Sequence, residues 1–163
     1  MKFYEKLIIN KKMRKKILML TLFISAFSVA AQNKRNLNQE EKNKKIAADF
    51  FIVFYNDKNM EKAKKMMHPD FINHHPYSGK GIEATVEAVK EHLFGKFPDF
   101  KVRIKRIAAE EDLVWIQSYT QDFPGDHGKM SMDIWRLRDG LIAEHWDIIQ
   151  DIPNDIASSS MYE

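Results

Sequence analysis

The sequence has no cysteine, which excludes disulfide bonds, thiolate chemistry and the lipid-modified cysteine of a bacterial lipoprotein. A strong charge of one sign is also lacking, although the net charge of +3 suggests a basic protein. The chain has 26 basic and 23 acidic residues, and the first 31 residues hold seven basic and one acidic residue. The remainder therefore has 19 basic and 22 acidic residues. Such a slightly acidic chain is not expected to bind nucleic acid.

Long hydrophobic runs are scarce as well. The apolar run Ile17 to Ala30 is shorter than the ~20 residues that a membrane-spanning helix needs. It follows the basic segment 11–16 and ends in the small residues 29–31, which is the order typical of a secretory signal peptide. A single membrane anchor is the alternative. We predict a signal peptide over residues 1–31, cleaved near Ala31, and a periplasmic or secreted protein without a stable membrane anchor after cleavage.

The remaining length is that of one domain with a buried core. The polar residues 32–40 predict a flexible lead-in. Apolar residues at helical spacing then predict three helices, over residues 40–57, 60–67 and 82–97, with Asn59 as a possible N-cap of the second. Between them, two prolines bracket a short extended segment that contains the adjacent His74 and His75. Adjacent side chains of an extended chain point to opposite sides, so no metal site is predicted there.

From residue 100 the apolar period changes to two, which predicts β-strands with one solvated face. Residues 100–106, 113–121, 130–137 and 141–150 give four consecutive strands joined by short turns. The predicted fold is α+β, with three N-terminal helices packed on a curved antiparallel sheet that forms a cone with an apolar interior. The domain is expected over residues 41–153, and residues 154–163 are expected to form a loose C-terminal tail.

The last two predicted strands contain ionisable residues, among them Asp133, His145 and Asp147. Because half-buried strands are depleted in Asp, Asp133 is expected either on a wet face or in a cavity, and we favour a cavity. A two-residue Asp-Gly turn would place Asp133 opposite Trp146, whereas a three-residue turn with a bulge would place it opposite His145. We favour the bulged turn, because it gathers the polar residues into one cluster.

With these elements in place, the chain resembles the SnoaL-like branch of the NTF2-like superfamily. The resemblance is carried by residues 46–51, 71–74, 101–106, 133–136 and 139–150. It implies a cone-shaped NTF2-like barrel, usually a homodimer through the outer sheet face, with a pocket between helices and sheet. Members of the family cyclise polyketides by intramolecular aldol condensation, using an Asp as acid/base and no metal or organic cofactor.

By position, the resemblance places the catalytic Asp at Asp133, and His145 is the candidate hydrogen-bond donor beside it. Aldol chemistry needs such a base and donors where enolate charge develops. The predicted substrate-binding residues are Asn73, His74, Gln117, Tyr119, Trp135, Trp146 and Asp147. The alternatives are a salt bridge between Asp133 and Arg136, a structural bond between His145 and Asp147, and wall or dimer packing for the two tryptophans.

The sequence therefore predicts an exported protein that binds a small hydrophobic molecule in a cone-shaped pocket. The candidate reaction is proton transfer of the aldol cyclase, isomerase or lyase type, with Asp133 as the base and without metal or cofactor. The alternative is a non-catalytic module for ligand binding or dimerisation. The fold alone does not distinguish these functions.

Overall fold

The structure, a computed structural model, describes residue 16 and residues 35–163. Apart from Lys16, the predicted signal peptide lies outside the described residues, as does the first part of the lead-in. One compact unit spans Asn36–Glu163. Across residue 16 and residues 35–163, none of the helices combines the length and apolar character that crossing a bilayer requires.

The first helix, α1, spans Leu37–Phe51 and continues as a π-helical turn over Ile52–Asn56. Its N-cap is Asn36, whose side chain accepts a hydrogen bond from the backbone N–H of Gln39 at 3.1 Å. The helix thus begins four residues before the predicted start of the domain at residue 41. The early turn belongs to the fold, because Glu40 within it is buried.

Two shorter helices follow. The second, α2, spans Met60–Lys65 and begins at the predicted cap Asn59, which accepts from the backbone N–H of Lys62 at 3.0 Å. The third, α3, spans Gly81–Val89 and continues as a second π-helical turn over Lys90–Phe94. All three predicted helices are present.

Within residues 35–163 the sheet has five strands: β1 (Met67–Asn73), β2 (Lys101–Glu110), β3 (Leu113–Gln121), β4 (Lys129–Arg138) and β5 (Leu141–Asp151). Their order is β1-β5-β4-β3-β2, with β1 parallel to β5 and the other pairs antiparallel. The predicted α+β fold is confirmed, but the four-strand count is wrong. The extended segment predicted between the prolines overlaps a fifth strand, β1, which pairs with β5.

The register between β4 and β5 differs from both predicted alternatives. The turn has two residues, since Arg138 pairs with Leu141 and the φ angles of Asp139 and Gly140 are 54° and 76°. The three-residue turn is therefore wrong. A bulge lies farther along, where Ala143 is the extra residue between the Leu137–Ile142 and Arg136–Glu144 pairs. This shift places Asp133 opposite Asp147 and Trp135 opposite His145.

The core lies between the helices and the inner face of the sheet. Phe50 and Phe51 of α1 are almost fully buried, and Trp135 of β4 packs edge-on against Phe50 at a ring-centroid distance of 5.1 Å. Alternate residues of β3, including Ile116 and the buried Ser118, point into this layer. The sheet thus presents a mixed apolar and polar inner face to the helices.

The C-terminal residues pack on the outer sheet face and do not form the loose tail that the sequence predicts. A short 3-10 helix spans Ser158–Met161, and the ring of Tyr162 lies 4.8 Å from that of Tyr119. The guanidinium of Arg106 donates to the backbone oxygens of Tyr162 and Glu163 at 3.3 and 3.1 Å. These contacts give the terminal segment both apolar and polar partners.

Candidate active site

A cavity of about 590 Å³ lies between α3, the end of α1, the loop after β1 and the inner face of the sheet. This volume is in the range of cavities that hold small organic ligands. Much of its wall is apolar and comes from Phe51, Val89, Leu93, Phe97, Phe100 and Val102. Polar side chains occur at both ends, and one group contains Asn73, His75, Asp133, His145 and Asp147.

A buried chain of hydrogen bonds holds Asp133 and His145 in the cavity wall. Nε2 of His145 lies 3.0 Å from Oδ1 of Asp133, and the two side chains are only 4% and 5% exposed. The other carboxylate oxygen, Oδ2, accepts from the hydroxyl of Ser131 at 2.8 Å. Ser131 in turn lies 2.8 Å from the hydroxyl of Ser118. Both oxygens of Asp133 are therefore already engaged within the protein.

The hydrogen-bond partners of Asn73 show which atoms of this network carry protons. The backbone N–H of His75 donates to Oδ1 of Asn73 at 3.0 Å, so this atom is an acceptor. Nδ1 of His145 lies 3.1 Å from the same oxygen and must carry a proton. One further proton then lies between Nε2 of His145 and Asp133, which act as one buried acid/base pair.

Asp147 is the second carboxylate at this end, and it is much less engaged. It faces Asp133 across the β4–β5 ladder, and its side chain is 11% exposed. Nε2 of His75 lies 3.7 Å from Oδ2, which is beyond hydrogen-bond distance, and the backbone N–H of Asp147 donates to its own carboxylate. Burial raises the pKa of Asp147, His145 and His75 oppose the rise, and Asp133 adds to it. Asp147 is thus a desolvated carboxylate at the cavity surface.

Tyr55 brings a hydroxyl to the same region from the π-helical turn after α1. Burial raises the pKa of Tyr55 well above its usual value, and the carboxylates of Asp133 and Asp147 raise it further. The phenol therefore keeps its proton and remains a hydrogen-bond donor.

The trio of Asp133, His145 and Asp147 could also offer ligands to a cation. One ligand atom from each lies within 4.8 Å of the other two. His145 already donates from its second ring nitrogen to Asn73, as metal-bound histidines commonly do. The trio is therefore the place to look for metal binding, although the sequence predicts none.

Four of the nine predicted site residues line the cavity: Asn73, Asp133, His145 and Asp147. Trp135 lies behind them in the core, where its ring stacks on that of His145 at a centroid distance of 3.9 Å. It packs against the imidazole and supports its orientation.

The other four predicted residues, His74, Gln117, Tyr119 and Trp146, lie on the outer face of the sheet and do not line the cavity. His74 stacks on Trp146 at 4.5 Å, and Gln117 accepts from Arg106 at 2.8 Å. The assignment of β3 was wrong by one position, because Ser118 and Thr120 face inward. The proposed salt bridge of Asp133 with Arg136 is also absent, since Arg136 pairs with Asp112 and Glu144.

Sequence reasoning missed Tyr55, His75 and Ser131. A signal for Tyr55 existed, because it follows Phe51 by four residues on the apolar side of α1. Ser131 lies two residues before Asp133, so both share one face of a strand. His75 comes after the end of β1, where alternation no longer fixes its direction.

Comparisons with known proteins agree with this architecture. The family model described as a SnoaL-like domain matches residues 47–145. A candidate ketosteroid isomerase from Kribbella flavida has a TM-score of 0.59 and 16% identity, covering 72% of this chain and 84% of its own. IdmH from Streptomyces antibioticus, a candidate polyketide cyclase, has a TM-score of 0.57 and 19% identity, covering 72% and 96%.

A third similar structure is an LEH-like epoxide hydrolase from M. tuberculosis, with a TM-score of 0.56 and 16% identity over 69% of this chain and 85% of its own. No sequence among the curated proteins matches the chain. At these identities, the structural likeness establishes the fold and leaves the activity to the residues of the site.

Proposed function

Because the chain belongs to the SnoaL-like domain family, we propose that it binds a small, mostly apolar carbonyl compound and moves a proton next to the carbonyl group. Neighbouring structures named as isomerase and cyclase are compatible with such chemistry. The two classes differ in the step after proton removal: return of the proton elsewhere gives an isomer, and attack on a second carbonyl gives an aldol product.

The observation that carries this proposal is the contrast between the two facing carboxylates. Asp133 has both oxygens engaged, by His145 and Ser131. Asp147 is largely buried, lines the cavity, accepts from its own backbone N–H and lies 3.7 Å from Nε2 of His75. A general base must be free to take a proton in the cavity, so we assign this role to Asp147 instead of Asp133, which the sequence favoured.

The reaction step uses three groups of this chain. The carboxylate of Asp147 takes the proton from the carbon next to the carbonyl, the electron pair of that C–H bond forms the C=C bond of the enolate, and the π pair of the carbonyl moves to its oxygen. The hydroxyl of Tyr55 donates a hydrogen bond to the resulting enolate oxygen. The Asp133–His145 pair holds one exchangeable proton beside this site and keeps the wall polar where charge develops.

Solvent-proton exchange tests the proposal directly. The full chain is incubated in deuterium oxide with ketones of increasing chain length, and NMR follows loss of the signal from hydrogens next to the carbonyl. Enzyme-dependent exchange on at least one ketone is expected. Ligand binding without exchange by any of them would instead favour the alternative of a non-catalytic binding protein.

The exchange rate should depend on pH through Asp147. Only the carboxylate form accepts a proton, and burial raises the pKa of this group above its ordinary range. The rate should therefore fall with decreasing pH at a higher pH than an exposed Asp would give. A rate profile whose acid limb lies at the ordinary Asp pKa would contradict Asp147 as the base.

We also propose a homodimer formed through the outer sheet face. The C-terminal segment covers the side of this face near Tyr119, while Ile148 and Ile72 on the other side are 72% and 44% exposed. Ile148→Lys should shift the mass measured by light scattering from dimer to monomer. The matched control is Leu37→Lys, at the first position of α1, which is 64% exposed. A monomeric wild-type protein at micromolar concentration would contradict the proposal.

Export is a further proposal, supported by the order of basic, apolar and small residues in the first 31 positions. Mass spectrometry of the protein from its native host should give a mature chain that begins close to Gln32. An intact first residue would contradict export by cleavage.

A further inference from the structure

We propose that the ligand of this cavity is an amphipathic acid, whose anionic group is held by Lys96 and Lys129 at the end opposite Asp147. The inference rests on the proposed function, because it describes the substrate class of the same cavity. It begins from the distribution of charge along the cavity wall.

The second polar end of the cavity contains two lysines and one carboxylate. Lys129 on β4 and Lys96 after α3 both line the cavity, and so does Asp122 after β3. Nζ of Lys129 lies 2.7 Å from Oδ2 of Asp122, with side-chain exposures of 33% and 12%. An ammonium has three N–H groups, so this ion pair leaves Lys129 able to bind a second oxygen.

Lys96 adds a positive charge that is not neutralised locally. It has no ion pair or hydrogen bond among the contacts of residues 35–163. Among the side chains that line this end of the cavity, the two lysines and Asp122 together leave one positive charge. One negative charge on a ligand would balance this end.

The opposite end of the cavity, at Asp133 and Asp147, repels an anionic group of a ligand. Asp133 and Asp147 place two carboxyl groups opposite each other, and Asp133 shares a proton with His145. A ligand carboxylate or phosphate is therefore directed to the lysine end, which fixes the orientation of the bound molecule. Its carbonyl group then lies toward Asp147 and Tyr55.

The spacing along β4 sets the length of this ligand. Lys129, Ser131 and Asp133 alternate onto the cavity side, and Asp133 follows Lys129 by four positions. At the rise of an antiparallel strand this is roughly 13 Å between backbone positions. The wall between them includes Phe97, Phe100 and Val102, which suits an apolar chain or ring system.

The test compares three probes with the same chain: laurate, lauryl alcohol and laurylamine. Calorimetric titration of the full chain should give roughly tenfold tighter binding of laurate than of the alcohol, because charged groups form the stronger hydrogen bonds. The preference should shrink as salt is added, since the lysine end is partly exposed. Equal affinity for laurate and the alcohol would overturn the inference while leaving apolar binding intact.

Two variants identify the groups responsible. Lys96→Gln should weaken laurate binding several-fold and leave lauryl alcohol unchanged. The matched control is Lys90→Gln, which begins the π-helical turn preceding Lys96, pairs with Glu87 and does not line the cavity. Asp122→Asn should strengthen laurate binding, because it releases Lys129 from its partner. Weaker laurate binding by Asp122→Asn would overturn the inference.

The outcomes separate the inference from the proposed function. If none of the three probes binds, the inference fails, whereas the proposed function fails only if no ketone undergoes enzyme-dependent exchange. If laurylamine binds most tightly, the carboxylate end dominates recognition, and only the anionic class is wrong.

Discussion

Asp147→Asn is expected to lower the rate of deuterium exchange by ~100- to 10,000-fold, the range over which a positioned general base contributes. The amide keeps the size and place of the carboxyl group but cannot take the proton. Binding of laurate should persist, because the cavity walls are unchanged. NMR exchange rates and calorimetric affinities of the same preparation therefore separate loss of chemistry from loss of the site.

The same substitution should stabilise the protein at neutral pH. Burial raises the pKa of Asp147 in the folded state, so the ionised form disfavours folding. The stability contributed by the protonated carboxyl group is complete below the pKa that Asp147 has in the unfolded chain. It is lost as pH rises through the pKa that Asp147 has in the folded protein. Asn cannot ionise, and its advantage in urea denaturation should therefore appear above that pH and vanish in acid.

The control is Asp151→Asn, on the same strand but exposed and outside the cavity. It should change neither exchange nor stability appreciably. If Asp147→Asn retains wild-type exchange, Asp147 is not the base, and the role returns to the Asp133–His145 pair.

Asp133→Ala should produce the largest loss of stability, about 3–5 kcal/mol in urea denaturation. Asp133 and His145 are almost completely buried, and the substitution leaves the proton between them without its acceptor. Ser131 also loses the oxygen to which it donates. Desolvated groups that lose their partners in this way account for the expected cost.

Asp133→Asn provides the matched variant. Its amide can donate to Nε2 of a neutral His145, whose other nitrogen donates to Asn73, and its oxygen can accept from Ser131. We expect a loss of no more than about 1 kcal/mol, because every buried partner keeps a hydrogen bond. A loss equal to that of Asp133→Ala would mean that the pair requires a full negative charge on Asp133.

The sequence predicted the fold more fully than the site. Apolar periodicity located the three helices and the strands β2 to β5, and the resemblance supplied the NTF2-like arrangement that the family match and solved structures confirm. The parallel strand β1 was not predicted, because a short segment between prolines carries no pairing information. Its pairing with β5 depends on contacts from the far end of the chain.

The site was predicted in part because side-chain direction in a strand depends on register. The bulge at Ala143 places Asp133, His145 and Asp147 on one face of the sheet, although the predicted turn length of three residues was wrong. On β3, by contrast, Gln117 and Tyr119 were placed inside when that face belongs to Ser118 and Thr120. A register error of one residue exchanges the inward and outward faces of a strand. When both faces carry polar residues, neither apolar periodicity nor turn type reveals that error.

The bond between His145 and Asn73 joins positions 72 residues apart. It forms only when β1 docks beside β5, a step that closes a long stretch of chain and bears a corresponding entropic cost. Secondary structure can therefore precede the working site during refolding. Recovery of exchange activity should lag behind recovery of far-ultraviolet circular dichroism, so that activity reports the last stage of assembly.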